Sequence, residues 1–278
     1  LGNETASPHG GDDECRRLLE VTHPLREGII RDAVAALRLP AGSRGLDAGC
    51  GVGLPAITLA EAVGPEGRVV GLDLSAPLLA RGEELARDAG SAERLSFQRG
   101  DVNDLPFDDD TFDWAWSADC VGYYREAPFP ALRELVRVVK PRGTVALLAW
   151  SSEQLLPGYP ALEARLKATA AGLAPFTRGM SPSRHFSRAL EWFRELGLEE
   201  TRARTFAGDA YAPLGDELRE ALTALVEMRW PGAEEELTAE ERAEFQRLTE
   251  PASPDFILND PSYYAFFTYS MFWGNVPA

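Results

Sequence analysis

The chain has 278 residues, 45% of them hydrophobic, enough to bury a sizeable core and to exclude a globally disordered chain. Its formal net charge is −16 with a pI near 4.7, a field that repels phosphate backbones and anionic membranes and argues against nucleic acid as a partner. The three cysteines, Cys15, Cys50 and Cys120, have no CxxC spacing and only three histidines for company, so neither a disulfide framework nor a metal site is signalled. No stretch approaches the ~18 continuous apolar residues of a membrane span. The polar start "LGNETASPHGGDDE" carries no apolar signal core. The expectation is a soluble cytoplasmic protein without metal.

In chain order, "CRRLLEVTHPLREGIIRDAVAAL" is an amphipathic helical region that closes one side of a pocket or packs on a sheet. From there to about residue 150, short apolar runs alternate with helical patterns. "RGLDAGC" ends a first strand, and "PAITLAEAVG" is a helix stopping at Gly64. "RVVGLDLS" is the second strand, and "APLLARGEELARDAG" a helix with Ser75 as N-cap. "LSFQRGDV" and "FDWAWSAD" are the third and fourth strands. "FPALRELVRVVKPRG" is a helix closed by Pro141 and Gly143, and "TVALLAWS" is the fifth strand. Strand–helix repetition of this kind predicts an α/β doubly wound, mostly parallel sheet, with ligands outside the carboxyl ends of its strands. "RHFSRALEWFRELGLEE" reads as a helix, "LEETRARTFAGD" as a sixth strand, and "SYYAFFTYSMFWGN" as a seventh. Residues 151–183 and 208–261 are expected to be helical insertions in one domain spanning 1–278. They serve as a lid over a substrate, or as padding or a homodimer surface.

Three strand ends carry the chemistry. "GLDAGCGVG" places Gly49, Gly51 and Gly53 where the chain must turn sharply, and Pro55 then opens a helix whose free N–H groups face the loop. Alone, this is a tight turn as readily as a ligand cradle. Asp73, ending the second strand, suits the two hydroxyls of a ribose, or merely caps the next helix. Asp101 and the N–H of Val102, ending the third, suit the edge of an adenine. Together the three describe a site for an adenosine compound. Leu54 stands where the dinucleotide fingerprint G-x-G-x-x-G needs its third glycine, and no G-K-[ST] follows for a P-loop.

"LDAGCGVG", "GLDLS", "RGDVNDLPFDDDTFDWAWSADCVGYY" and "ELVRVVKPRGTVALLAW" resemble the successive motifs of the class I S-adenosylmethionine-dependent methyltransferases. The likeness is to the small-molecule branch that includes ubiquinone- and menaquinone-pathway enzymes, and it covers residues 26–150. It implies a Rossmann-like seven-stranded sheet with the last strand antiparallel, and methyl transfer to a small-molecule acceptor with S-adenosylhomocysteine as product. By this resemblance Asp47, Gly49, Gly51 and Gly53 line the methionine part of the cofactor. Asp73 holds the ribose, Leu74 packs on the adenine, Asp101 and Val102 read its edge, and Ser117 lies near the methyl group.

Methyl transfer needs a general base only where the acceptor must lose a proton. Asp119, Tyr123 and Tyr124 follow the fourth strand, where an acceptor would sit, and His185 follows "SPSR". Each is equally a packing or loop residue. His9 lies in the polar start, His23 suits packing or capping, Trp150 suits an acceptor wall or core, and Cys50 reads as a small buried residue. The alternatives to the methyltransferase are a nicotinamide-dependent oxidoreductase, disfavoured by Leu54, and a non-catalytic S-adenosylmethionine-binding protein.

Overall fold

The structure is a computed structural model that describes residues 11–123 and 128–278. Seven strands form one sheet: β1 (Arg44–Ala48), β2 (Arg68–Asp73), β3 (Leu95–Arg99), β4 (Phe112–Ala118), β5 (Val139–Gln154), β6 (Glu199–Tyr211) and β7 (Tyr264–Asn275). Their order is β3-β2-β1-β4-β5-β7-β6. All pairings among β1 to β5 are parallel, and β7 runs antiparallel to both β5 and β6. The sheet winds outward in both directions from β1 and β4, so its switch point falls between them, where ligands of open α/β sheets bind.

Helices cover both faces. On one lie α2 (His23–Leu37), α3 (Leu54–Ala62) and α4 (Ala76–Asp88), whose apolar residues meet Trp114, Trp116, Leu148 and Met271. On the other, α5 (Phe129–Val138) and α8 (Ala189–Glu195) meet Leu46, Leu72, Ala115, Leu147 and Phe272. Gly45 shows why β1 carries a glycine: a Cβ there would fall 2.0 Å from the Trp114 ring, whose indole N–H donates to Ser43 Oγ at 2.9 Å. Ser75 caps α4 as expected, its Oγ accepting from the Leu78 N–H.

Three local expectations are corrected. The fifth helix ends at Val138, not at Pro141 and Gly143; Val139 already pairs with Phe112 in β5. Adjacent β-branched valines and the bias of a pre-proline residue away from the helical region end the helix earlier. The stretch around His185 forms 3-10 turns at 182–184 and 186–188, and only 189–195 is α-helical. The insertions are shorter than their sequence bounds, because β5 runs on to Gln154 and β6 to Tyr211.

The added length of β5 positions the site. Leu148 lies opposite the last residue of β4, yet β5 continues to Gln154, paired there with β7 alone. This extension, with β6 and β7, rises past the carboxyl edge. Around it pack α6 (Pro160–Lys167) and α7 (Ala170–Leu173) of the first insertion, and α9 (Asp216–Arg229) and α10 (Ala239–Thr249) of the second. Helix α1 (Asp12–Val21) reaches from α4 to α9 across the same edge.

Candidate active site

The three strand ends singled out in the sequence lie side by side. The loop after β1 turns on Gly49, Gly51 and Gly53 at φ of 76°, 55° and 74°, a region that L side chains rarely adopt. Space forbids a side chain as well: a Cβ on Gly49 would sit 2.2 Å from Cys120 Sγ, and one on Gly53 2.5 Å from the Phe97 ring. The loop is fixed from β2, as the Gly49 and Cys50 N–H groups donate to the Leu72 carbonyl at 2.8 and 3.0 Å. Asp73 accepts from Gly51 N–H and Ser75 N–H, each at 2.9 Å. It therefore ties loop to strand end, while each oxygen keeps a second lone pair for a ligand hydroxyl. Leu74 beside it is 54% exposed, an apolar surface that nothing in the fold covers. At the end of β3, Asp101 Oδ1 accepts from the backbone and side-chain N–H groups of Asn103, and Val102 is half-buried.

Asp47 is the unusual member. It is 1% exposed, and its Oδ2 meets no donor among the described residues. Burial first, and then the neighbouring charge of Asp73, push its pKa up to about 8. A buried acceptor without a donor carries a free-energy cost that a ligand cation would relieve. The glycine cradle, the Asp73 carboxylate, the exposed Leu74 and this orphaned oxygen together fit S-adenosylmethionine, which carries hydroxyls, an apolar ring and an ammonium. Ser117 is 1% exposed, donates to the Ala48 carbonyl at 2.8 Å and accepts from Val121 N–H, so its hydroxyl braces the ends of β1 and β4.

Beyond β4 the candidates divide. Asp119 sits at φ 49°, a strained position for a residue with a side chain. Its Oδ1 accepts from the Trp150 N–H at 2.8 Å, its Oδ2 accepts from the Tyr269 hydroxyl at 2.9 Å, and Arg26 lies 3.9 Å away. Tyr269 is 2% exposed, and burial beside that carboxylate drives its pKa well above the ordinary tyrosine value, so the hydroxyl donates. Trp150 stacks on Phe267 at 5.6 Å, and its indole N–H reaches Glu153 Oε2 at 2.6 Å. Glu153 is itself 2% exposed and pairs with Arg229 of α9 at 2.9 Å. Tyr123 and His185 belong to another cluster, linked through Phe176 at 6.0 and 4.3 Å. His185 Nδ1 is engaged by Ser187, and burial lowers the pKa of the ring.

His23 is partly buried, and burial with Arg26 close by brings its pKa down to about 4, which leaves the ring neutral at pH 7. Cys50 is buried and its thiol pushed up by burial, as befits an inert packing residue. His9 and Tyr124 lie outside the described residues. Sequence reasoning missed Arg26, Tyr269 and Glu153. A signal existed for Tyr269: Ala265, Phe267, Tyr269 and Met271 alternate inward along β7, and a tyrosine in that row needs a buried partner.

Sheet order, an antiparallel β7, and glycines, Asp73 and Asp101 on successive strand ends define the class I S-adenosylmethionine-dependent methyltransferase fold. Residues 46–143 match a methyltransferase domain model. The demethylmenaquinone methyltransferase of Staphylococcus aureus is 32% identical over 188 residues, 62% of this chain and 74% of that protein. The chain belongs to the class I S-adenosylmethionine-dependent methyltransferase family. The demethylmenaquinone methyltransferase of Anoxybacillus flavithermus is 36% identical over 129 residues, 45% of this chain and 52% of that one. The chain thus spans about half the length of the first curated relatives it matches. The structure of a SAM-dependent methyltransferase from Aquifex aeolicus superposes with TM-score 0.50 at 17% identity, covering 92% of this chain and 96% of that one, a likeness of fold. Among the described residues no helix is long and apolar enough to cross a membrane.

Proposed function

We propose that the protein transfers a methyl group from S-adenosylmethionine to a small aromatic acceptor that carries an ionisable hydroxyl. The observation that carries this reading is one carboxyl edge on which the cofactor cradle and a polar, aromatic wall meet, Cys120 of the β4 loop lying against Gly49. When bound, the cofactor supplies an electrophilic methyl group on a sulfonium. The protein's own residues then orient the acceptor and exclude water. Asp73 holds the ribose and Asp47 the ammonium. Asp119, held by Tyr269 and the Trp150 N–H, takes the acceptor hydroxyl as a hydrogen-bond donor and receives its proton. The ring of Trp150, whose backbone N–H holds Asp119, packs with Phe267 and Tyr269 and offers an apolar face to the acceptor. The S. aureus and A. flavithermus relatives act, by their names, on demethylmenaquinone, a ring compound. The matched domain ends at Gly143, ahead of both insertions.

The test is incubation with methyl-tritiated S-adenosylmethionine and a panel of phenols, catechols and hydroquinones, including a reduced demethylmenaquinone analogue. Label should move to a hydroxylated ring compound, and Asp119→Asn should stop the transfer while S-adenosylhomocysteine still binds. Binding without transfer to any acceptor would make this a non-catalytic binding protein. Stabilisation by NAD or NADP and not by S-adenosylhomocysteine would return the oxidoreductase. A ligand at ~100 times its Kd adds about 2.7 kcal/mol, enough to read as a thermal shift.

A further inference from the structure

Two carboxylates end adjacent strands beneath the glycine loop and are treated in opposite ways. Asp73 receives two backbone N–H donors. Asp47, whose strand partner across β2 is Gly71, is sealed from water and its Oδ2 receives none. The titratable groups that face it are Asp73 from β2, Cys50 in the loop and Cys120 after β4. Both thiols are held neutral, burial pushing Cys120 up to about 12 and Cys50 well above the ordinary cysteine value. No cationic side chain among the described residues contributes to its environment. A carboxylate there would stand almost wholly buried beside a second negative charge with one oxygen lacking a donor, so the site keeps a proton until a cation arrives.

We propose that cofactor binding is coupled to the loss of a proton from Asp47, which is a carboxylic acid in the free protein and a carboxylate against the ligand's ammonium group in the loaded one. The exchange balances: the ammonium keeps its proton, Asp47 gives one to the buffer, and one positive charge replaces another in the buried pocket. The inference rests on the reading of this edge as the cofactor site. It makes Asp47 a specificity residue that favours ligands with a free amine over the same nucleoside without one. Direction follows from linkage. Below about pH 8 the free protein holds the extra proton. Affinity for S-adenosylhomocysteine should therefore rise with pH between 6 and 8, by up to about tenfold per unit, and level off above.

The test is calorimetric titration of the intact protein with S-adenosylhomocysteine at pH 7, in phosphate and in Tris, whose ionisation heats differ. About one proton should be released per ligand bound. 5′-Methylthioadenosine, which lacks the amino-acid cation, should bind without release, and so should S-adenosylhomocysteine on Asp47→Asn. Equal heats in the two buffers for the wild type would overturn the proposal. So would equal proton release with the two ligands, a comparison that needs no variant to fold. Release that persists in Asp47→Asn would assign the proton to another group. Failure of the wild type to bind S-adenosylhomocysteine at all would instead overturn the cofactor-site reading itself.

Discussion

β1, β2 and β3 run five, six and five residues, whereas β5, β7 and β6 run 16, 12 and 13. The short half of the sheet builds the cofactor cradle from turns. Every group it needs sits within a few residues of a strand end, and its backbone ties are short in sequence, such as the 22 residues from Gly51 to Asp73. The long half builds the proposed acceptor wall from pairings of distant segments: Asp119 meets Tyr269 across 150 residues, and Glu153 meets Arg229 across 76. A cradle made of backbone recognises a constant ligand. A wall made of side chains on long strands and two insertions can be changed without disturbing it. If the two halves are separable in this way, damage to one should leave the function of the other intact.

The largest expected effect is on the wall. Glu153→Ala leaves the half-buried Arg229 charge and the Trp150 indole N–H without the buried carboxylate they share. Breaking a buried pair from one side costs about 3–5 kcal/mol. Thermal unfolding should move down by about 10 °C. In the protein that remains folded, S-adenosylhomocysteine affinity should stay within about threefold, and a parallel collapse would mean that the halves are one unit. The converse comes from the cradle. Asp73→Ala removes the acceptor of Gly51 N–H and, on the proposed reading, of the ribose hydroxyls. At about 1.5 kcal/mol or more for each charge-assisted bond, affinity should fall about 100-fold in calorimetry. Acceptor-side packing, read by the near-ultraviolet signal of Trp150, should be unmoved.

The same contrast explains what the sequence disclosed. Gly49, Gly51 and Gly53 announce themselves because positive φ and close approach admit almost nothing else, and Asp73 and Asp101 follow from their place at strand ends. Ser117 stands at the expected strand end, but its bonds to Ala48 and Val121 were not legible, because the sequence does not say which way a hydroxyl turns. Arg26 and Tyr269 were invisible as a pair: their meeting at Asp119 depends on β7 entering the sheet beside β5 and on α2 lying over β4. Neither is encoded in any one stretch. The insertions were found, but their bounds were misplaced, because strands that continue past the edge of the sheet have no terminating glycine or proline there.

A smaller effect tests the wall alone. Tyr269→Phe removes one donor from Asp119 and leaves the ring packed against Trp150. Urea unfolding should report a loss of about 1–2 kcal/mol. S-adenosylhomocysteine should bind as before, while methyl transfer slows and its acid limb shifts to higher pH, since Asp119 loses a bond that favours its charged form. Unchanged transfer would make Tyr269 a packing residue only.

The smallest effect concerns the element that joins the halves. Helix α1 rests against Gly51 through Leu19, contacts α9, and is held to α4 by Arg81, whose Nε and Nη2 reach the Glu20 carboxylate at 3.1 and 2.9 Å. Beside that pair, the Leu19 carbonyl accepts from Arg26, the same guanidinium that lies beside Asp119. The Arg81 pair is partly solvated, so Arg81→Ala should cost only about 0.5–1 kcal/mol, and less at high salt. Its consequence should be local. Amide exchange along α1 should quicken, and S-adenosylhomocysteine should dissociate a few-fold faster, because Leu19 no longer rests steadily on the loop. Exchange elsewhere in the sheet should not change. If α1 protection stays at its wild-type level, the helix is held by α9 and Arg26, and the cradle takes its cover from the long half of the molecule.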